Sequence, residues 1–382
     1  MFDNIFNIQL KGVNKLYKNK VILIAFSTLV GLFFLSALDS ILAKDDKLFL
    51  IHKEISYDTE DYNIEYFLSP LVEKFGIVHD AFAKEKPKQI VNSKDYSEAN
   101  FALVGDWGCT KNTAKTVDLI QSQNPDLVFS LGDTSYQPKI NCWEKIVKPI
   151  SDKMKVIIGN HDVMSLNLQR QHMKAFGLEK SFYSFDYYNN IHFLMMNSEL
   201  SYLPGSKPDF SLLNETEQYQ FVQDDLSQAS KNPNINWIIV MIHRQFYSSF
   251  CGLHDSCDPI KKLRDTYHPL FEKYGVDLIF SGHAHNYERT YPIFYNKLNS
   301  SEPIIAEKSK TEYSSPKGIF QIIVGTGGID LDPLYNLEPY VVYQQDKNYG
   351  FLNVNVTNQG KILVGKYYNN DGDVLDEFKI IK

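Results

Sequence analysis

Eight side chains stand out for the chemistry that their types and spacing allow. Asp106 lies in GDWG, Asp133 and Tyr136 in GDTSY, and Asn160 and His161 in GNHD. His243 closes WIIVMIH, and His283 and His285 form GHAH. Setting His161 aside leaves carboxylate, phenol, amide and imidazole, a mixed oxygen and nitrogen set without thiolate. Such a set suits Fe, Mn or Zn, and seven donors exceed what one tetrahedral zinc needs. Two ions about 3.5–4 Å apart that share one carboxylate would use them all, and such pairs clamp the attacking and leaving oxygens of a displacement at phosphorus. Each motif alone is weak, because a lone Gly-Asp is ordinarily a turn or a helix cap. Five in order, each closing an apolar run, are hard to explain as turns.

The runs that must hold these residues are FALVGD (101–106), LVFSLGD (127–133), VIIGN (156–160), WIIVMIH (237–243) and DLIFSGH (277–283). Short apolar runs that stop at a polar residue read as buried strands of an α/β sheet. In such sheets ligands bind outside the carboxyl ends of the strands, so five ends converge on one crevice. Residues 112–123, 215–230 and 259–274 have helical period, and the repeat from Asp106 to Asp133 to Asn160 is that of strand–helix–strand units. Glycine precedes Asp106, Asp133, Asn160 and His283, as sharp turns and close backbone approach require. FQIIVGTGG, FLNVNV, ILVGKYY and LDEFKII follow one another without helices. They predict an antiparallel sheet that completes a two-sheet core.

The whole chain has 382 residues, a formal net charge of −7 and 43% hydrophobic residues. A mean hydropathy of −0.29 is too low for a multi-pass membrane protein. The apolar and aromatic content is too high for a disordered chain. The acidic balance disfavours a nucleic-acid binder that works by phosphate neutralisation. At the N-terminus, residues 21–38 read VILIAFSTLVGLFFLSAL after Lys11, Lys15, Lys18 and Lys20. Eighteen helical residues span about 27 Å, close to a bilayer core. The basic flank stays cytoplasmic, so the run predicts a signal anchor with the rest of the chain on the extracytoplasmic side. The alternative is a cleaved signal peptide and a secreted protein. Residues 1–43 form this tail and helix, 44–99 a charged stalk or extension, and 100–382 the catalytic domain.

GDWG, GDTSY, GNHD, MIH and GHAH resemble the five ordered motifs of calcineurin-like metallophosphoesterases. Tyr136 and the stretch GHAHNYERTYPI resemble the purple acid phosphatase branch in particular. That resemblance implies a four-layer αββα sandwich and an acid phosphatase acting on phosphate monoesters. It implies a binuclear centre, with Fe3+ held by Asp106, Tyr136 and His285. Fe2+, Zn2+ or Mn2+ would be held by Asn160, His243 and His283, with Asp133 bridging. A metal-activated hydroxide would attack phosphorus in line, and His161 would contact the phosphate or protonate the leaving oxygen. His254, in CGLHDSC, is a second candidate on the substrate side. Other readings are a phosphodiesterase or nucleotidase of the same superfamily, or a non-catalytic surface module that kept the fold.

Two departures from the family pattern stand near the motifs. Pro138 takes the place of an aspartate after the motif tyrosine, and Asp162 takes the place of the glutamate that usually ends the plant-type third motif. Asp162 either orients His161 or caps the next segment. Cys109, Cys142, Cys251 and Cys257 allow three disulfide pairings, and sequence does not choose among them. His172, His192 and His268 read as structural, Trp107 and Trp143 as core, and Arg289 as the partner of a carboxylate beneath the site.

Overall fold

The computed structural model describes residues 98–188, 190–200, 213–249 and 257–382. The N-terminal apolar run, the stalk up to residue 97, His254 and the loop at residues 250–256 lie outside the described residues, and the first strand already begins at Ala99. Among the described residues, no helix is long and apolar enough to cross a membrane.

The chain begins with β1 (Ala99–Val104), α1 (Lys111–Gln123), β2 (Leu127–Ser130), α2 (Asn141–Val147), β3 (Met154–Val156) and α3 (Leu166–Ala175). It continues with β4 (Tyr183–Tyr187), β5 (Ile191–Met195), α4 (Glu217–Ala229), β6 (Trp237–Met241), α5 (Cys257–Tyr274), β7 (Leu278–Ser281) and β8 (Tyr287–Thr290). Strands close the chain: β9 (Ile293–Phe294), β10 (Ile304–Ile305), β11 (Glu312–Ser314), β12 (Phe320–Val324), β13 (Val341–Gln345), β14 (Gly350–Thr357), β15 (Ile362–Asn369) and β16 (Val374–Ile381). Helix starts follow local chemistry. The Thr110 hydroxyl accepts from the amides of Asn112 and Thr113, and Thr216 does the same for Tyr219.

Two seven-stranded sheets result, in the orders β11-β16-β15-β14-β1-β2-β3 and β13-β8-β12-β7-β6-β5-β4. The five apolar runs are therefore strands of two sheets rather than one. β1, β2 and β3 run parallel in the first sheet, and β6 and β7 run parallel in the second.

Side-chain alternation builds the layers. In β6, Trp237, Ile239 and Met241 join a core shared with Phe101, Phe129 and Val354 of the first sheet. Ile238 and Val240 point the other way, to Leu226 of α4 and Leu263 and Phe271 of α5. Val117 of α1 and Trp143 of α2 pack on the first sheet. The order is helix, sheet, sheet, helix, the four-layer arrangement that the family resemblance implies. Strands buried on both faces read as continuous apolar runs, which is why they are conspicuous in the sequence.

One expectation is corrected. FLNVNV, ILVGKYY and LDEFKII form the antiparallel meander β14–β15–β16. FQIIVGTGG does not join them. Its strand, β12, is buried at every position and lies in the second sheet, parallel to β7 and antiparallel to β8. A strand with two apolar faces needs cover on both sides, which a central position supplies. A Cys109–Cys142 disulfide, with Cα atoms 5.9 Å apart, ties the turn after β1 to α2.

Candidate metal centre

The carboxyl ends of β1, β2 and β3 meet those of β6 and β7 across the seam between the sheets, and the motif residues gather there. Four of them hold left-handed backbone although none is glycine: Asp106 (φ 58°), Asp133 (φ 52°), Tyr136 (φ 53°) and His283 (φ 71°). That conformation is unfavourable for residues with a Cβ, and it clusters at functional sites where the surroundings enforce it.

The donors fall into two groups that share Asp133. In the first, the Tyr136 hydroxyl lies 3.1 Å from Asp106 Oδ1 and 2.9 Å from His285 Nε2, and His285 Nε2 lies 3.5 Å from Asp106 Oδ1. In the second, the ligating atoms of Asp133, His243 and His283 lie within 4.8 Å of one another. Asn160 Oδ1 is 3.1 Å from His243 Nε2. Asp133 Oδ2 faces both groups, 3.2 Å from the Tyr136 hydroxyl and 3.4 Å from His243 Nε2. Ligands at about 2.1 Å from one metal stand roughly 3.0–3.4 Å from each other in octahedral or tetrahedral geometry, so these spacings fit metal coordination.

The imidazoles are aimed by their rear nitrogens. His243 Nδ1 donates to Leu131 O at 2.7 Å, and His285 Nδ1 to Asp330 O at 2.9 Å. Each bond leaves the Nε2 lone pair facing the centre, as a metal ligand requires. His161 is half-buried; its ring packs on that of Tyr136 at 4.2 Å, and its amide donates to Asp133 Oδ1 at 2.8 Å.

The electrostatics call for cations. Asp106, Asp133 and His243 are buried. Burial pushes the Asp106 carboxyl up to about 7, against the pull of His243 and His285, and the Asp133 charge adds to the rise. Burial also pushes up the Tyr136 phenol, and Asp133 and Asp106 reinforce this. In the metal-free chain burial alone would raise Asp133, but protonated His243, together with His161 and His283, outweighs burial and holds its carboxyl well below the usual carboxylate range. Two carboxylates and a phenol whose anions repel one another are stabilised together by bound cations. The donor set is therefore suited to hold metal.

The calcineurin-like phosphoesterase family matches residues 99–287, from β1 to the turn after GHAH. This chain carries a calcineurin-like phosphoesterase domain. Purple acid phosphatase 22 of Arabidopsis thaliana is 30% identical over 223 residues, which are 53% of this chain and 48% of that protein. Probable inactive purple acid phosphatase 1 of the same plant is 27% identical over 300 residues, 71% of this chain and 45% of that protein. A purple acid phosphatase from yellow lupin (Lupinus luteus) seeds has the same fold, with a TM-score of 0.61, 24% identity, and 75% of this chain and 54% of that chain covered. The chain spans about half the length of the curated relatives it matches.

The phosphoesterase domain corrects the two readings of Asp162. Its carboxylate does not touch the His161 side chain, and it does more than cap one segment. It accepts the amides of Gly159, Asp133 and Thr134, which joins the third motif to the second. His172 is structural, as its sequence context suggests, but it stands directly against Asp162. Arg289 does pair with a carboxylate, donating to both oxygens of buried Asp376.

A buried ion pair at the centre escaped the sequence reading. Arg244 Nε and Nη2 donate to Glu199 at 2.7 and 3.0 Å, and Arg244 Nη1 lies 3.1 Å from His283 Nε2. The signal was present. IHFLMMNSE is a sixth apolar run that ends in polar residues, and its strand β5 is the parallel neighbour of β6.

Proposed function

We propose that this chain is an exported phosphatase that hydrolyses phosphate monoesters at a binuclear centre. Asp106, Tyr136 and His285 would hold one ion and Asn160, His243 and His283 the other, with Asp133 available to both. The observation that carries this reading is Asp133 Oδ2 in contact with both donor groups. Ferric iron fits the phenol-containing group, and Fe2+, Zn2+ or Mn2+ the nitrogen-rich one. When bound, such a pair neutralises phosphoryl charge and lowers the pKa of a water poised in line with phosphorus.

The chain's own residues supply position and protons. Asp106 and Asp133, both buried, would fix where the ions bind. His161, half-buried over Tyr136, sits where it can donate to a phosphate oxygen or to the leaving alkoxide. Export rests on the apolar run at residues 21–38 and its basic flank. This part of the reading includes the membrane anchor, or secretion after cleavage, and a substrate-side role for His254.

The test is metal content, visible spectrum and turnover measured on one purified sample. Two metals per chain, a visible band and faster cleavage of an aryl phosphate monoester than of the matching diester support the proposal. Preference for the diester would indicate a phosphodiesterase. A second reading, a non-catalytic member, is favoured by Arg244 against His283, since its charge opposes a metal there. A folded chain that stays inert in excess metal and binds fewer than two ions would establish that second reading.

A further inference from the structure

The buried histidine His172 lies behind the second motif, and the catalytic scheme does not use it. It is on α3, 1% exposed, with its ring 6.3 Å from that of Trp143. Its Nε2 lies 3.1 Å from Asp162 Oδ1 and 3.0 Å from Thr134 Oγ1. Thr134 Oγ1 itself donates to Asp162 Oδ1 at 2.8 Å, so it accepts from His172. The Asp162 carboxylate thereby meets five donors. Oδ2 takes the amides of Asp133 (2.8 Å) and Gly159 (3.0 Å). Oδ1 takes the Thr134 amide (3.0 Å) and the Thr134 hydroxyl, and it shares the single His172 Nε2–H with Thr134 Oγ1. Such a buried carboxylate is costly unless every lone pair is used and a cationic or strongly polar partner stands beside it.

The donors of these bonds explain the arrangement. Asp133 holds a left-handed backbone at φ 52°, a conformation that costs about 1 kcal/mol or more outside glycine. Its amide and the next one both end on Asp162, so the carboxylate pins the backbone on either side of the Asp133 α-carbon. The third motif is gripped at Gly159 by the same group.

We propose that Asp162 and His172 are positioning residues that lock the turn carrying Asp133 in its left-handed form before any metal binds. Asp162 supplies the acceptors, and His172 holds Asp162 in register through Oδ1 and Thr134. Neither touches substrate or metal. The proposal rests on the reading of Asp133 as the bridging ligand, but the locking itself is a property of the metal-free chain.

The experiment uses the full chain stripped of metal, with His172→Leu, His172→Gln and Thr134→Val. Amide hydrogen exchange is followed at residues 132–136, and Mn2+ affinity by calorimetry. His172→Leu keeps the volume but removes the donor. Exchange at 132–136 should rise at least about tenfold relative to the β6 and β7 core, and Mn2+ affinity should fall about 10–100-fold, the usual effect of losing a residue that orients a ligand. His172→Gln restores a donor and should recover most of both. Thr134→Val should act like His172→Leu, and it carries the test if that variant does not fold. Unchanged local exchange and affinity in folded variants would overturn the proposal, as would an equal rise throughout the domain. If the wild-type chain binds no Mn2+, the phosphatase reading falls, while the exchange data still decide whether the turn is locked.

Discussion

Replacing Gly159 by alanine tests how tightly the centre is built. The backbone at Gly159 (φ −109°, ψ 174°) suits any residue, so alanine brings no conformational strain. The obstacle is space. A Cβ there would stand 2.5 Å from the Asp133 amide nitrogen and 2.9 Å from its carboxylate carbon, where ordinary contact is 3.4–4 Å. The Asp133 backbone is held by Asp162 and cannot swing aside as a flexible side chain would. Relief therefore needs a shift of about 1 Å between the second and third motifs. Displacements of that size cost about 100-fold in rate, near 2.7 kcal/mol of transition-state stabilisation. The same overlap should cost about 1–3 kcal/mol of stability. The assay is kcat on an aryl phosphate, with metal content and thermal unfolding measured on the same sample. A folded Gly159→Ala chain with wild-type kcat and metal content would refute the claim that Asp133 must sit where it does.

Other perturbations have equally definite outcomes. Asp133→Ala should lose more than about 1,000-fold in activity and bind fewer than two metals; substantial turnover at full folding would remove Asp133 from the bridging role. Tyr136→Phe should abolish a visible charge-transfer band in the iron-loaded protein, which a spectrum reads directly. Asp376→Ala strands the buried Arg289 guanidinium and should cost about 3–5 kcal/mol by urea unfolding, with metal content unchanged. His192 is paired through Nδ1 to Asp186 and through Nε2 to Asp225. Burial opposes its charge, but the two carboxylates prevail and raise it to about 9. Because the folded value is raised, the contribution, on the order of 3 kcal/mol, is complete below about pH 6.5 and disappears as pH rises through 9. Unfolding free energies at pH 6 and pH 10, for wild type and His192→Phe, should converge at the higher pH.

Much of the centre was legible because strand burial and ligand chemistry leave the same mark. An apolar run such as LVFSLGD announces both a strand covered on two faces and the point where that cover ends. Three helices, α1, α4 and α5, were legible from their helical period, whereas the short α2 and α3 were not. The division of the five runs between two sheets was not legible. Pairing depends on partners hundreds of residues away, and β12 reads like any buried strand until its neighbours are known. Asp162 was seen but misjudged, because one carboxylate can cap, orient or bind and only its surroundings distinguish these. His172 looked like an ordinary core histidine on a helix, and nothing local signals that its partner is Asp162.

The pairing of β1 with β14 joins Phe101 to Val354 and Leu103 to Leu352. The strand that delivers Asp106 thus completes its sheet only with chain made some 250 residues later. At about 5–20 residues per second, synthesis reaches that partner roughly 12–50 s after β1 has emerged. His243, His283 and His285 also emerge in that interval, so the two carboxylates wait on the ribosome without their cations or their covering strand. The ligand set is therefore complete only once β7 and its turn have been made, and it is covered only once β14 has paired with β1.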